Sequence, residues 1–118
     1  MESKLHDIGW AAGFFEGEGY VGFNYTLNKK YNRQYPRLTV QISQVFREPL
    51  DKFAEIVGAG KVRGPYGPYQ QTKQEYYQYQ SSGDAAVEVL EKLLPYLFAK
   101  GAQAKWALMN YEEYLNGR

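Results

Sequence analysis

Glu16 and Glu18 stand one residue apart in the stretch GFFEGEGYVG, Gly13 to Gly22. Two kinds of chemistry suit such residues. Gly17, Gly19 and Gly22 spell G-x-G-x-x-G, the spacing of a loop that wraps a nucleotide pyrophosphate. That use requires a strand before the glycines and a helix after them, because a helix N-terminus supplies the free N–H groups and positive dipole end that hold phosphate. The patterning here is reversed, helix first and strand second. A kinase glycine-rich loop joins two strands and belongs to a much longer catalytic domain, so it fails too. The carboxylates remain. At the end of a helix the dipole is negative, and an acidic side chain there is unfavourable by about 0.3 to 1 kcal/mol. A bound cation would reverse that sign. Carboxylates and free carbonyls together form a hard oxygen environment suited to Mg2+. The plain alternative is a pair of exposed glutamates beside a glycine turn.

Composition removes other chemistries. The 118-residue chain has no cysteine and one histidine, His6, so neither a disulfide framework, nor a thiolate nucleophile, nor a histidine metal cluster can be built. A chain of this length buries roughly two-thirds of its unfolded surface and needs no such staples. It reads as one domain spanning residues 1–118. No apolar run approaches the roughly 18 residues of a membrane span, and the N-terminus lacks a signal pattern, so the expectation is a soluble, intracellular protein without a membrane partner. Net charge is only +1, but Tyr20 to Arg47 holds Lys29, Lys30, Arg33, Arg37 and Arg47 with no acidic residue. That local surplus suggests one basic face, the alternative being a solvated hairpin with lysines at its tip.

These residues must be positioned by elements whose periods are legible. With Asp7 as N-cap, Ile8, Ala11, Ala12 and Phe15 mark one face of a helix ending at Gly17 to Gly19. Gly9, Gly13 and Gly17 recur every four residues on it, and each interior glycine costs about 1 kcal/mol relative to alanine. A second backbone packed against that ridge would compensate. The period then changes to two. Val21, Phe23, Tyr25 and Leu27, and later Leu38, Val40 and Ile42, alternate with polar or basic residues, which predicts a hairpin with one apolar face. A short helix opens at Glu48 and Pro49 and stops at Gly58 to Gly60. A second hairpin uses Lys61 to Arg63 and Glu75 to Ser81, joined by GPYGPYQQTK. Asp84 is expected to cap a helix with Leu90, Leu93, Leu94 and Leu97 on its buried side, and a last helix runs from about Gln103 to Leu115. The order α-β-β-α-β-β-α-α gives an α+β fold: a four-stranded, mainly antiparallel sheet with helices on one face.

The segment AAGFFEGEG, Ala11 to Gly19, resembles the nine-residue signature of the LAGLIDADG homing endonucleases, with Glu16 and Glu18 in place of its two aspartates. QISQ at 41–44, IVGAGKV at 56–62 and LPYLFAKGAQA at 94–104 resemble the family's later landmarks in the expected order, so the likeness covers nearly the whole chain. The resemblance implies a saddle-like sheet over double-stranded DNA. A single motif implies the homodimeric class, with Gly9, Gly13 and Glu16 supporting a contact between motif helices and a near-palindromic target. It implies that Glu18, aided by the Gly17 carbonyl, holds Mg2+, with Mn2+ or Ca2+ as substitutes in binding, and that Glu16 is a supporting interface residue or a secondary ligand.

The activity so implied is hydrolysis of DNA phosphodiesters in both strands, with divalent ions stabilising the attacking and leaving oxygens. Gln44 and Lys100 match the residues that orient water and stabilise charge, and Arg47 matches a further phosphate contact. On this reading the outward strand positions Asn24, Thr26, Arg37, Thr39, Gln41, Lys61, Arg63, Gln78 and Gln80 read base edges in the major groove. Tyr20, Tyr35 and Tyr76 share their parity. Lys29, Lys30 and Arg33 would touch phosphates and set affinity and salt dependence. Two alternatives stay open: a non-cleaving nucleic-acid binder of the same fold, such as an intron maturase or a regulator, and a tyrosine-rich module that binds carbohydrate or protein.

Overall fold

The computed structural model describes residues 2–28, 33–70 and 73–117, with the backbone alone for 2–5, 26–28, 33 and 34. Helix α1 runs over Glu2–Glu18 and passes directly into strand β1, Gly19–Asn28. Strand β2, Arg33–Gln44, is followed by α2, Glu48–Val57, then β3, Lys61–Tyr66, and β4, Tyr76–Ser82. Helix α3, Asp84–Leu93, leads through a 3-10 turn, Leu94–Tyr96, into α4, Gly101–Asn116. The element order is the expected one. Among the described residues no helix is long and apolar enough to cross a membrane.

Strand order in the sheet is β1-β2-β4-β3, and every pairing is antiparallel. The register aligns Gly19, Ile42, Tyr79 and Val62 in one row, and Val21, Val40 and Ser81 in the next. Val21, Leu38, Val40, Ile42 and Tyr79 are buried on this side, beneath Ala11, Ala12 and Phe15 of α1, Leu50, Phe53 and Val57 of α2, Val89, Leu90 and Leu93 of α3, and Ala104 and Ala107 of α4. One side of the sheet therefore faces helices. Period-two alternation leaves the opposite side polar.

Several boundaries differ from expectation, among them the end of α3 at Leu93, which leaves Leu94 and Leu97 beyond the helix. Helix α1 begins five residues before Asp7, which lies exposed inside the helix, because the preceding residues extend the same turn. Asp84 does not cap α3: Gly83 occupies the cap with φ +64°, a left-handed value that favours glycine, and no side-chain cap bond forms. A Cβ on Gly83 would also stand 3.3 Å from the Arg37 guanidinium. Strand β3 continues through the first Gly-Pro-Tyr, with a register shift between Arg63 and Tyr66 that lets Tyr66 pair with Tyr76. Helix α4 starts at Gly101, two residues before Gln103. By contrast α2 ends as its glycines require, on Gly58 at φ +73°, whose N–H donates to the Ala54 carbonyl.

Tyr79 sits at the centre of the core with no exposure, its hydroxyl donating to the Ala59 carbonyl at 2.9 Å. Burial pushes its phenol up to about 12 from the ordinary 10. A raised folded-state value means the neutral phenol stabilises the fold below pH 10, and this contribution is lost as pH rises through about 12. The loss is on the order of 2 to 3 kcal/mol. Urea unfolding at neutral pH and near pH 11.5 should therefore show a steeper alkaline decline for wild type than for Tyr79→Phe, and equal declines would refute this origin.

Candidate metal and nucleic-acid interface

The end of α1 is shaped by what each successive residue meets. Phe15 is fully buried, and a Cβ on Gly19 would come within 2.1 Å of its ring, so only glycine lets the chain turn from helix to strand above it. Glu18, three residues on from Phe15, points its carboxylate to the exposed side. Gly9, Gly13 and Gly17 are also exposed, and nothing lies within 4 Å of a Cβ built on any of them. Within one chain the glycine ridge is thus uncovered.

Glu16 behaves differently from the expected interface residue or secondary ligand. Its carboxylate is half-buried and accepts hydrogen bonds from the backbone N–H of Phe98 and, at 3.2 Å, from that of Lys100. The Lys100 ammonium in turn donates to the Glu16 carbonyl. The physical reason is complementarity of helix ends: the acceptor-rich terminus of α1 meets the donor-rich start of α4. Lys100 is thereby brought to the same helix terminus as Glu18.

Gln44 is the last residue of β2, two positions beyond Ile42, which pairs with the first residue of β1. It stands at the motif end of the sheet, in an open groove of about 320 Å³ with Ser43, Val45, Gln74 and Tyr76. Arg47 precedes α2 and forms a 3.3 Å ion pair with Asp51, with its guanidinium 5.9 Å from the Tyr77 ring centroid. Both partners are about half exposed, so the pair is worth well under about 1 kcal/mol and leaves Arg47 able to exchange partners.

The polar side of the sheet is assembled by register. Tyr20, Gln41, Gln80 and Lys61 form one row across all four strands, and Ser43, Gln78 and Arg63 form another, in which Gln78 donates to the Ser43 hydroxyl at 3.3 Å. Asn24 pairs with Arg37 further along, and both are exposed. Arg37, Lys61, Arg63, Gln78 and Gln80 line one groove of about 420 Å³ that no carboxylate enters. Tyr35 lies on the same side, half-buried.

Thr39 does not join this surface. It is fully buried, its hydroxyl donating back to the Arg37 carbonyl at 3.2 Å and lying 3.5 Å from the Ser82 hydroxyl. Its row neighbour Gly22 is covered by the Tyr20 hydroxyl, which would stand 2.2 Å from a Cβ there. Parity placed Thr39 on the correct side, but its hydroxyl is occupied within β2 and toward β4 and is closed to a ligand. Lys29 and Lys30 lie outside the described residues, and for Thr26 and Arg33 the strand backbone alone is described. Ser43, Ser82 and Tyr66 belong to the polar side although sequence reading did not single them out. Strand parity was the available signal for Ser43.

A terminal helix whose last turn presents an exposed carboxylate, leading straight into a four-stranded antiparallel sheet with one polar, cationic face, defines a LAGLIDADG-type fold. No family sequence model matches the chain, and no curated protein matches it in sequence. Solved structures do. The homing endonuclease I-CvuI, in complex with a DNA target, is 25% identical with a TM-score of 0.79, covering 97% of this chain and 71% of that one. A second I-CvuI complex, with its own target in the presence of calcium, is 26% identical with a TM-score of 0.77, covering 96% of this chain and 72% of that one. The LAGLIDADG meganuclease I-CpaMI, bound to uncleaved DNA, shares the fold at 20% identity and a TM-score of 0.66, covering 91% of this chain and 39% of that one. Over nearly its whole length the chain thus has the fold of the LAGLIDADG homing endonucleases and is similar to them.

Proposed function

We propose that this protein is a site-specific DNA endonuclease that cuts both strands of a long, near-palindromic site as a homodimer, in a reaction that depends on a divalent metal ion. The observation that carries the reading is the combination on α1 of an uncovered glycine ridge with an exposed Glu18, beside a cationic sheet face. The donor set fits a hard cation in shared form. Among the described residues no group of three or more His, Cys, Asp or Glu gathers that could hold a metal ion. Glu18 and the Gly17 carbonyl would supply hard oxygen donors from each chain, leaving positions for water and DNA phosphate, as Mg2+ prefers.

When bound, the divalent ion supplies Lewis-acid activation of water and neutralises charge at the scissile phosphate. The chain's residues do the rest. Glu18 fixes where that charge is neutralised, and Lys100, held at the same helix end, adds a donor toward the pentavalent phosphate. Gln44 orients water by hydrogen bonding. Arg37, Lys61, Arg63, Gln78 and Gln80 present donors and acceptors suited to base edges, Arg and Lys to guanine and Gln to adenine.

Incubation with a randomised plasmid library and Mg2+ tests the reading: a recurrent site should be cut in both strands. Binding without metal-dependent cutting would instead mark a maturase or a regulator, and failure to bind DNA at low salt would sink both. Once a site is known, Arg63→Ala should lower discrimination at one base pair per half-site by about 1 to 3 kcal/mol. The slope of affinity against salt should change little, since a base reader releases few counterions. Cleavage of a single-substitution target panel measures it, and unchanged preferences at every position would remove Arg63 from the readers.

A further inference from the structure

We infer that Glu16 is a positioning residue that sets Lys100 for the reaction, an inference that rests on the endonuclease reading of Glu18 and Lys100. The two residues are joined twice. The Glu16 carboxylate accepts from the Lys100 backbone N–H and from that of Phe98, and the Lys100 ammonium donates to the Glu16 carbonyl. Each residue thus engages the other with both backbone and side chain.

The need for this clamp follows from helix-end chemistry. Lys100 is the N-cap of α4, with its carbonyl accepting from Ala104 N–H at 2.9 Å, and it forms no side-chain cap of its own. Amide donors ahead of α4 require an acceptor, and Lys100 at the cap position has no side-chain acceptor to offer. Glu16 supplies it from the far end of the chain, in the last turn of α1, where a carboxylate is otherwise disfavoured by the dipole. A lysine is a compact charge on a flexible four-carbon stem with three donors. Spending one donor on the Glu16 carbonyl holds the stem, and two donors stay available to phosphate or water two residues from Glu18. Glu16 touches neither substrate nor metal on this account. It decides where the Lys100 charge stands.

The test is a double-variant cycle of Glu16→Ala and Lys100→Met on the selected target, read by single-turnover cleavage in Mg2+ and by DNA affinity in Ca2+. Glu16→Ala should slow cleavage by on the order of 10- to 100-fold, with affinity unchanged within about twofold. The double variant should cut no more slowly than Lys100→Met alone, because the lysine through which Glu16 acts is already gone. Glu16→Gln, which keeps the side-chain length and one acceptor oxygen, should recover most of the rate. If the alanine variant does not fold, Glu16→Leu, which keeps a side chain of similar bulk and removes both acceptor oxygens, takes its place in the cycle. Additive losses in the double variant, or a parallel loss of affinity, overturn the positioning role and leave the endonuclease reading intact. A wild-type protein that binds its site and never cuts overturns the endonuclease reading, and this inference with it.

Discussion

Glu18→Gln is expected to bind its DNA site with affinity at least equal to wild type and to cut it at least about 10³-fold more slowly, a loss of about 4 kcal/mol of transition-state stabilisation. The substitution preserves size and removes one negative charge from an exposed position at a helix C-terminus. In the folded protein alone that removal is harmless, because a carboxylate there opposes the dipole by about 0.3 to 1 kcal/mol. Toward the DNA backbone it also relieves repulsion, so affinity should hold or rise. The cost falls on the metal. A neutral amide oxygen is a far poorer ligand for a hard divalent cation, and in a homodimer both sites lose it together. Parallel binding in Ca2+ and cleavage in Mg2+ separate the two effects. Glu18→Gln protein that cuts within tenfold of wild type would sink the assignment of Glu18 as the metal ligand.

Gly13→Leu should divide folding from assembly. Gly13 is exposed on α1, and a side chain there meets nothing within 4 Å in a single chain. Replacing a helical glycine by a residue of higher propensity should therefore raise the stability of the isolated chain by about 0.5 to 1 kcal/mol. If a partner helix packs on the Gly9, Gly13, Gly17 ridge, the same side chain prevents close approach of the two backbones. The variant should then sediment as a monomer at micromolar concentration, where wild type is a dimer, and double-strand cleavage should fall by at least about 100-fold, since each chain brings one site and half of the interface. Gly13→Ala should lie between. A monomeric wild type, with and without target DNA, would contradict the dimer. A dimeric Gly13→Leu would move the interface off this helix. More stable folding accompanied by lost assembly is an outcome that a core defect cannot produce.

Much of the fold was legible in the residues because it depends on short periods. A strand buried on one face must alternate, and Val21, Leu38, Val40 and Ile42 sit in the core where alternation puts them. Its complement placed Arg37, Gln41, Lys61, Arg63, Gln78 and Gln80 on the open side before any pairing was known. The stop of α2 at Gly58 followed from a backbone conformation that glycine favours. The nine residues ending at Gly19, together with QISQ, IVGAGKV and LPYLFAKGAQA later in the chain, carried the resemblance to the family.

What local pattern cannot carry is which distant groups meet. The strand order β1-β2-β4-β3, which puts Gln80 between Gln41 and Lys61, pairs strands that are distant in the chain and is set by tertiary packing rather than local period. Thr39 had the right parity and is nevertheless fully buried, its hydroxyl turned back to the Arg37 carbonyl and beside the Ser82 hydroxyl. Asp84 looked like a cap, and Gly83 took the position at a φ of +64°, where glycine is favoured. The same holds for the two glutamates. Their helix-end position could be read from the glycines that follow, but only the family resemblance told Glu18 from Glu16. Folding sets them apart: Glu16 finds the amides before α4, some 80 residues away in the chain, whereas Glu18 accepts no hydrogen bond among the described residues and stays exposed. Helical and strand periods are properties of neighbouring residues, while a hydrogen bond across the whole chain exists only after the helices have packed.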